Sequence, residues 1–271
     1  MNDPWSNSGS SLAEGAAFAL NRTLRDLALN ACYNAEDGTR NYMDVAVFTY
    51  GTEMGDGQGV EWTFGKLPQP SNGYAKATDW VPAFLRQKKT DRGTLPIWIE
   101  PHAVGWTPMC KAFNQAAQVV KQHTSDYPDS FPPIVINITD GIPTDHDDDW
   151  KQFERAAEKI TSESTSDGKA LLFNIHIDAS GQENTVLFPD SPPQHSQYAM
   201  HLGRISSVLP ANMVRLANEK LGMEITEAAL GYCLNADMQQ LSAFLQIGTY
   251  VAPQGNSPQP DTSEQQTLLE V

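Results

Sequence analysis

The chain contains few cysteines and few basic residues for its length. Its 271 residues include 3 cysteines, and 18 Lys and Arg stand against 33 Asp and Glu, for a formal net charge of −15. The cysteines (Cys32, Cys110 and Cys233) are odd in number and far apart, so they predict neither a disulfide framework nor a zinc cluster, and we expect a reducing, cytoplasmic location. The acidic excess repels phosphate backbones and anionic lipids, which argues against nucleic acid or a membrane as a partner.

Long apolar runs and several catalytic signatures are also missing. No stretch of ~20 apolar residues could span a membrane, and no basic-then-apolar start indicates a secretion signal. The absence of Gly-x-Ser-x-Gly and His-Glu-x-x-His argues against the serine hydrolases and zinc proteases that carry those motifs. The motif of a phosphate-binding loop is not matched either. Five residues, not four, separate Gly59 from Gly65, and Lys66 is not followed by the required Ser or Thr.

Acidic residues alternate between 145 and 149 like the start of a calcium-binding EF-hand loop. Asp145, Asp147 and Asp149 have the required spacing. Trp150 stands where that loop needs Gly, however, and Ala156 where it needs Glu. Acidic residues at a helix N-terminus, favoured by the helix dipole, are the simpler interpretation. A metal role for the cluster is the alternative.

One stretch, residues 132–145 (PPIVINITDGIPTD), carries the strongest structural signal. Its β-branched run from Ile134 to Ile138 is too short for an ordinary helix and predicts a strand buried on both faces. The run ends in Thr139-Asp140-Gly141, which places a hydroxyl and a carboxylate after the strand. Because ligands bind at the carboxyl edge of a parallel α/β sheet, we expect Asp140 to contact a metal or a polar ligand.

Strand-like and helix-like segments alternate through the rest of the chain. We predict strands at 44–51, 95–101, 134–139, 170–178 and 230–235, and helices at about 12–31, 107–120, 148–160, 200–220 (interrupted near Pro210) and 237–247. Ser10 or Ser11 should cap the first helix, and Thr107 the second, with Pro108 at its first position. This alternation predicts a doubly wound α/β domain with a mostly parallel sheet.

Thr107 and Asp140 both lie at predicted strand-to-helix junctions, each beside a turn residue. Taken with Gly-Trp-Thr-Pro-Met at 105–109, the stretch 134–145 resembles the von Willebrand factor A domain. The resemblance covers about residues 1–250, with an irregular or hairpin insertion at about 52–93, and leaves 251–271 as a disordered polar tail. It is strongest to bacterial intracellular members found beside tellurium-resistance-type and kinase/phosphatase gene clusters.

The resemblance implies a Rossmann-like fold and a non-enzymatic role in protein–protein interaction. In that family a Thr and the Asp of Thr-Asp-Gly help to hold Mg²⁺ at a metal-ion-dependent adhesion site. The open coordination position of the ion accepts an acidic side chain of a partner protein. Carried onto this sequence, the metal ligands are Thr107 and Asp140, and the partner is another protein.

The family's Asp-x-Ser-x-Ser motif, which follows its first, central strand, is absent. Ser6-Asn-Ser8-Gly-Ser10 has the spacing but carries Ser in place of Asp and follows no strand. Met1 matches the Met that often ends this motif, so we expect the central strand and three ligands to lie upstream. We therefore expect Mg²⁺ to bind weakly or not at all. A gap or an abnormal pairing should separate strands 44–51 and 134–139.

Two other interpretations stay open at this stage. One is a metal-dependent hydrolase or phosphatase that uses Asp140 with the acidic cluster at 145–149. The other is a scaffold subunit that has lost its metal. His176 and Asp178 share a predicted strand face near the ligand-facing edge, where a structural histidine is commoner than a catalytic one.

Overall fold

A computed structural model of the chain describes residues 10–34, 36–51, 59–91, 93–103, 105–177, 185–236 and 238–249. The serine-containing start at 1–9, Asp178 and the predicted tail 251–271 lie outside these ranges. The described residues form a mixed α/β structure, which confirms the fold class at that level.

The helices in the described residues follow the predicted order, except that the short α2 lies in the predicted insertion and was not expected. They are α1 (Leu12–Leu27), α2 (Ala77–Trp80), α3 (Met109–Asp126), α4 (Trp150–Thr161), α5 (Gln197–Ile205), α6 (Ala211–Leu221) and α7 (Met238–Thr249). Ser11 caps α1 as predicted: its hydroxyl accepts from the Glu14 backbone N–H, and the Glu14 carboxylate accepts from the Ser11 N–H. None of the helices in these ranges combines the length and the apolar character needed to cross a bilayer.

The strands are mostly short. They are β1 (Tyr33–Asn34), β2 (Gly38–Thr39), β3 (Asp44–Val45), β4 (Phe48–Tyr50), β5 (Val60–Trp62), β6 (Ala75–Lys76), β7 (Arg86–Thr90), β8 (Gly93–Ile97), β9 (Ile134–Thr139), β10 (Ser164–Thr165), β11 (Gly168–Lys169), β12 (Leu171–His176), β13 (Val186–Leu187) and β14 (Tyr232–Leu234).

The main sheet has four strands in the order β13-β14-β12-β9. β9, β12 and β14 are parallel, and β13 joins antiparallel at one edge. Alternating side chains of β12 enter two separate cores: Phe173 and Ile175 pack with α1, α6 and α7, whereas Leu172 packs with α3, α4 and α5. Helices therefore cover both faces of this sheet.

The segment 44–51 departs from its prediction as a buried strand of that sheet. β3 pairs with β6 and β4 with β5, both antiparallel, so residues of the predicted 52–93 insertion supply the partner strands. β7 and β8 form another hairpin. Around them, Phe64, Trp80 and Trp98 build a third core against α1. The apolar sequence of 44–51 indicated an extended backbone, but the partner of a strand depends on segments distant in sequence.

β9 lies at the open edge of the main sheet, and no described strand pairs with its outer side. Between β9 and the segment 43–50 lies a cavity of about 1270 Å³. The expected gap between segments 44–51 and 134–139 is therefore present in the described structure.

Candidate functional site at the end of β9

Asp140 follows β9 at the carboxyl edge of the three parallel strands. Thr107 lies on the loop before α3, and the two residues line the same end of the large cavity. The structure thus brings the two predicted ligands to one place. A β-carbon added to Gly141 would lie 2.5 Å from Thr107 Oγ1, which shows how closely the two loops approach.

Backbone hydrogen bonds hold the two loops together. The Thr107 N–H donates to Thr144 Oγ1 at 3.1 Å, and the Thr144 N–H donates to the Thr107 carbonyl at 2.9 Å. Thr139 Oγ1 accepts the Gly141 N–H at 3.2 Å and so tightens the turn after the strand. The Thr107 backbone is therefore held by reciprocal bonds to the loop that carries Asp140.

Thr107 does not cap α3, which corrects the sequence prediction. The helix begins at Met109, with Pro108 at the capping position and no side-chain capping bond there. The Asp145 carboxylate replaces it by accepting the N–H groups of Cys110 (3.0 Å) and Lys111 (2.9 Å). The sequence prediction chose Thr107 because it directly precedes the helix. A capping carboxylate can, however, come from a distant part of the chain.

The acidic cluster is thus partly explained by helix capping. Asp149 accepts the Lys151 N–H at the start of α4 and pairs with Arg155 at 3.0 Å. Burial opposes ionisation of Asp149, but the Lys151 N–H and Arg155 outweigh it and lower the pKa of this carboxyl. The remaining pair, Asp147 and Asp148, is exposed. These contacts support the interpretation of the cluster as helix-terminal residues.

A buried polar network beneath the site was not predicted. Tyr50 donates its hydroxyl hydrogen bond to Asn137 Oδ1 (2.6 Å), Asn137 donates to Asn174 Oδ1 (3.0 Å), and Asn174 donates to Ser206 Oγ (3.0 Å). Burial raises the pKa of Tyr50 well above its usual value, so the phenol stays protonated. The sequence feature that could have predicted the network is an Asn in each of the two predicted core strands, Asn137 in β9 and Asn174 in β12. A buried amide needs hydrogen-bond partners.

His176 is buried at the carboxyl end of β12, and its Nδ1 lies 3.1 Å from the Tyr232 hydroxyl. Its ring also contacts Tyr198 edge-on, with centroids 4.8 Å apart. The residue is only 7% exposed, which favours the structural role. Asp178, its predicted neighbour, lies outside the described residues.

Within the described ranges, no group of three or more His, Cys, Asp or Glu side chains is arranged to hold a metal ion. The described loops place the Thr107 hydroxyl next to Gly141, the residue that follows Asp140, and both Thr107 and Asp140 line the large cavity. Their hydroxyl and carboxylate are hard oxygen donors of the kind that Mg²⁺ prefers.

Comparison of the chain with protein-family models, with curated proteins and with solved structures finds no match.

Proposed function

We propose that the chain is a von Willebrand factor A-like domain that binds a protein partner at the end of β9, through a weakly held Mg²⁺. In this proposal the main sheet is part of a doubly wound parallel sheet. The observation that supports it best is the meeting of Thr107 with the Asp140-Gly141 turn at the carboxyl edge. Two loops 33 residues apart in sequence, 107 against 140, thus place the Thr107 hydroxyl against the backbone of the turn that carries Asp140.

Thr107 and Asp140 would act as oxygen ligands. Bound Mg²⁺ would supply a positive charge and an open coordination position for a partner's carboxylate. Two protein oxygens completed by water favour weak, reversible binding. Thr144 holds the backbone of Thr107 in place, and Gly141, which has no side chain, leaves room for the Thr107 hydroxyl.

Exposed apolar side chains beside the site support a protein partner. Trp106 and Ile142 adjoin Thr107 and Gly141 in sequence, and each is 57% exposed. Single exposed apolar residues are common, but two next to convergent polar groups are typical of a docking surface. Tryptophan is moreover enriched where proteins meet.

The hydrolase alternative is less well supported. It requires free carboxylates near Asp140, whereas Asp145 accepts two N–H groups of α3 and Asp149 caps α4. Turnover of a generic aryl phosphate with and without Mg²⁺ separates the two functions. Metal-dependent turnover that is lost in Asp140→Ala would favour the enzyme.

Asp140→Ala tests the binding function directly. Calorimetric titration with Mg²⁺ and Mn²⁺ should show weak binding to the unaltered chain and none to the variant, because half of the identified ligands is removed. Asp129→Ala, which removes an exposed loop carboxylate away from the site, is the matched control and should bind normally. Equal affinity in Asp140→Ala, or no binding to the unaltered chain, contradicts the metal-mediated function.

A further inference from the structure

The end of β9 is paired with a neighbouring strand on one side only. On the inner side, the Ile177 N–H donates to the Thr139 carbonyl at 2.9 Å. Because successive residues of a strand direct their backbone groups to opposite sides, Ile138 directs its carbonyl away from β12. No described strand pairs with this outer side. The turn that carries Asp140 therefore follows a strand whose outer edge has no described strand partner.

The Tyr50 side chain reaches this outer edge from β4, on the other side of the cavity. Its hydroxyl donates to Asn137 Oδ1 at 2.6 Å and lies 3.2 Å from the Ile138 carbonyl oxygen, a second acceptor. Asn137 and Ile138 are the two residues that precede Thr139 and Asp140. A side-chain hydroxyl thus contacts the end of β9 at the position where a neighbouring strand would otherwise bond.

The electrostatic surroundings of the hydroxyl place it beneath the candidate site. Burial has the largest effect and raises the pKa of Tyr50, a contact with the Thr139 side chain lowers it, and the charge of Asp145 raises it. The phenol therefore lies close to the residue before Asp140 and near the carboxylate that caps α3. Because burial keeps it protonated, it remains a hydrogen-bond donor.

β4 has a well-defined position of its own, so Tyr50 is supported from outside the main sheet. Phe48 lies opposite Trp62 and Tyr50 opposite Val60 in the pairing of β4 with β5. The rings of Phe48 and Trp62 meet edge-on, with centroids 5.5 Å apart. Trp62 in turn packs against the tryptophan-rich core. The contact with β9 therefore links the end of that strand to the third core, across the cavity.

We propose that Tyr50 is a positioning residue for the candidate site, which fixes the turn carrying Asp140 by holding the end of β9 from across the cavity. The inference rests on the proposed function, because it gives Tyr50 a role toward the metal ligands Thr107 and Asp140. Metal ligands need to be held to within ~0.5 Å of their working geometry. A contact on the outer side of β9, added to the pairing on its inner side, serves that requirement.

Tyr50→Phe tests the inference, since it removes the hydroxyl and keeps the ring. The Gly141 amide, which donates to Thr139 Oγ1, should then exchange its hydrogen about tenfold faster or more in metal-free buffer. Mg²⁺ affinity, measured by calorimetry, should fall by about tenfold or more, as it does when residues that orient metal ligands are changed.

Tyr232→Phe is the matched control. It also removes a buried hydroxyl, one that lies 3.1 Å from His176 Nδ1, but it does so on β14, which is separated from β9 by β12. Exchange at Gly141 and Mg²⁺ affinity should both match those of the unaltered chain.

The two measurements separate this inference from the proposed function. Faster exchange at Gly141 in a protein whose unaltered form binds no Mg²⁺ would support the positioning of the turn and contradict the metal-mediated function. Equal exchange in Tyr50→Phe and the unaltered chain overturns the inference. So does an equal rise at the amides of β12, which would indicate general destabilisation, or an Mg²⁺ affinity that stays unchanged while exchange at Gly141 rises.

Discussion

At the scale of single residues, the candidate site depends on the absence of a side chain at position 141. Thr107 Oγ1 occupies the space that a β-carbon there would need, at 2.5 Å from its ideal position. Real β-carbon contacts of that length do not occur, so any larger residue must displace the hydroxyl. Gly141 therefore matters because of the neighbouring loop rather than because of its own backbone conformation.

Gly141→Ala should accordingly weaken Mg²⁺ binding by about tenfold, the effect expected when a residue supporting a metal ligand is changed. The methyl group would turn Thr107 Oγ1 away from Asp140, while the stability of the fold should change by less than ~1 kcal/mol. Calorimetry with Mg²⁺ and urea unfolding measure the two quantities.

Ile142→Ala provides the comparison for that variant. It removes an exposed side chain from the same turn without adding an atom near Thr107. Its metal affinity should match that of the unaltered chain. If Gly141→Ala also binds Mg²⁺ normally, the Thr107 hydroxyl is not a ligand.

At the scale of elements, the Asp145 carboxylate links the start of α3 to the loop that follows β9. Asp145 accepts two of the N–H groups at the start of α3, groups that lack partners within any helix. The same contact fixes the loop between Asp140 and α4 against α3. Burial raises the pKa of the Cys110 thiol to about 12, and Asp145 beside it adds to that rise.

Asp145→Ala should destabilise the protein by about 1–2 kcal/mol, the usual cost of losing a helix cap. Urea unfolding followed by circular dichroism provides the measurement. Asp129→Ala, which removes an exposed carboxylate from the turn after α3, should change stability by no more than ~0.5 kcal/mol. A loss in Asp145→Ala no greater than in the control would show that α3 is capped in another way.

At the scale of the whole molecule, each of the three cysteines lies in a different hydrophobic core. Cys233 lies in the core shared by α1, α6 and α7, Cys110 in the core of α3, α4 and α5, and Cys32 in the tryptophan-rich core beside α1. The first two cores share the main sheet. The third is separated from the edge of that sheet by the cavity.

Thiol labelling in increasing urea should therefore modify Cys32 at a lower urea concentration than Cys110 and Cys233. The tryptophan-rich core can open without breaking the main sheet, because none of its described strands pairs with a strand of that sheet. Mass spectrometry of the labelled chain identifies each thiol. One shared midpoint for all three cysteines would show a single cooperative unit instead.

The same thiols predict how stability depends on pH. Burial raises the pKa of Cys32 and of Cys110 to about 12, whereas an unfolded thiol ionises near pH ~8.5. A raised native pKa stabilises the fold fully below the unfolded value, and that contribution is lost as pH rises from ~8.5 towards 12. Native thiols should hence stay unreactive at pH 8, and stability should fall above it.

The sequence by itself determined the order and type of the long elements. Apolar periodicity located α1, α4 and β12 to within a few residues, and Ser11 and Glu14 marked the start of α1, because these signals come from residues close together in the chain. The proximity of Thr107 to the turn that carries Asp140 was expected because each residue follows a predicted strand. The strand before Thr107, however, is β8, which pairs with β7 and not with the main sheet.

Only the tertiary structure decided how the strands pair and which polar side chains form hydrogen bonds with distant parts of the chain. The capping of α3 by Asp145 and the Tyr50–Asn137–Asn174 network join residues more than thirty positions apart. The segment 44–51 had several possible partner strands, and it pairs with strands of the 52–93 segment. A strand-like sequence pattern indicates that a segment will pair with another strand, but it does not indicate which strand. The open edge of β9 therefore became visible only when every described strand had been placed.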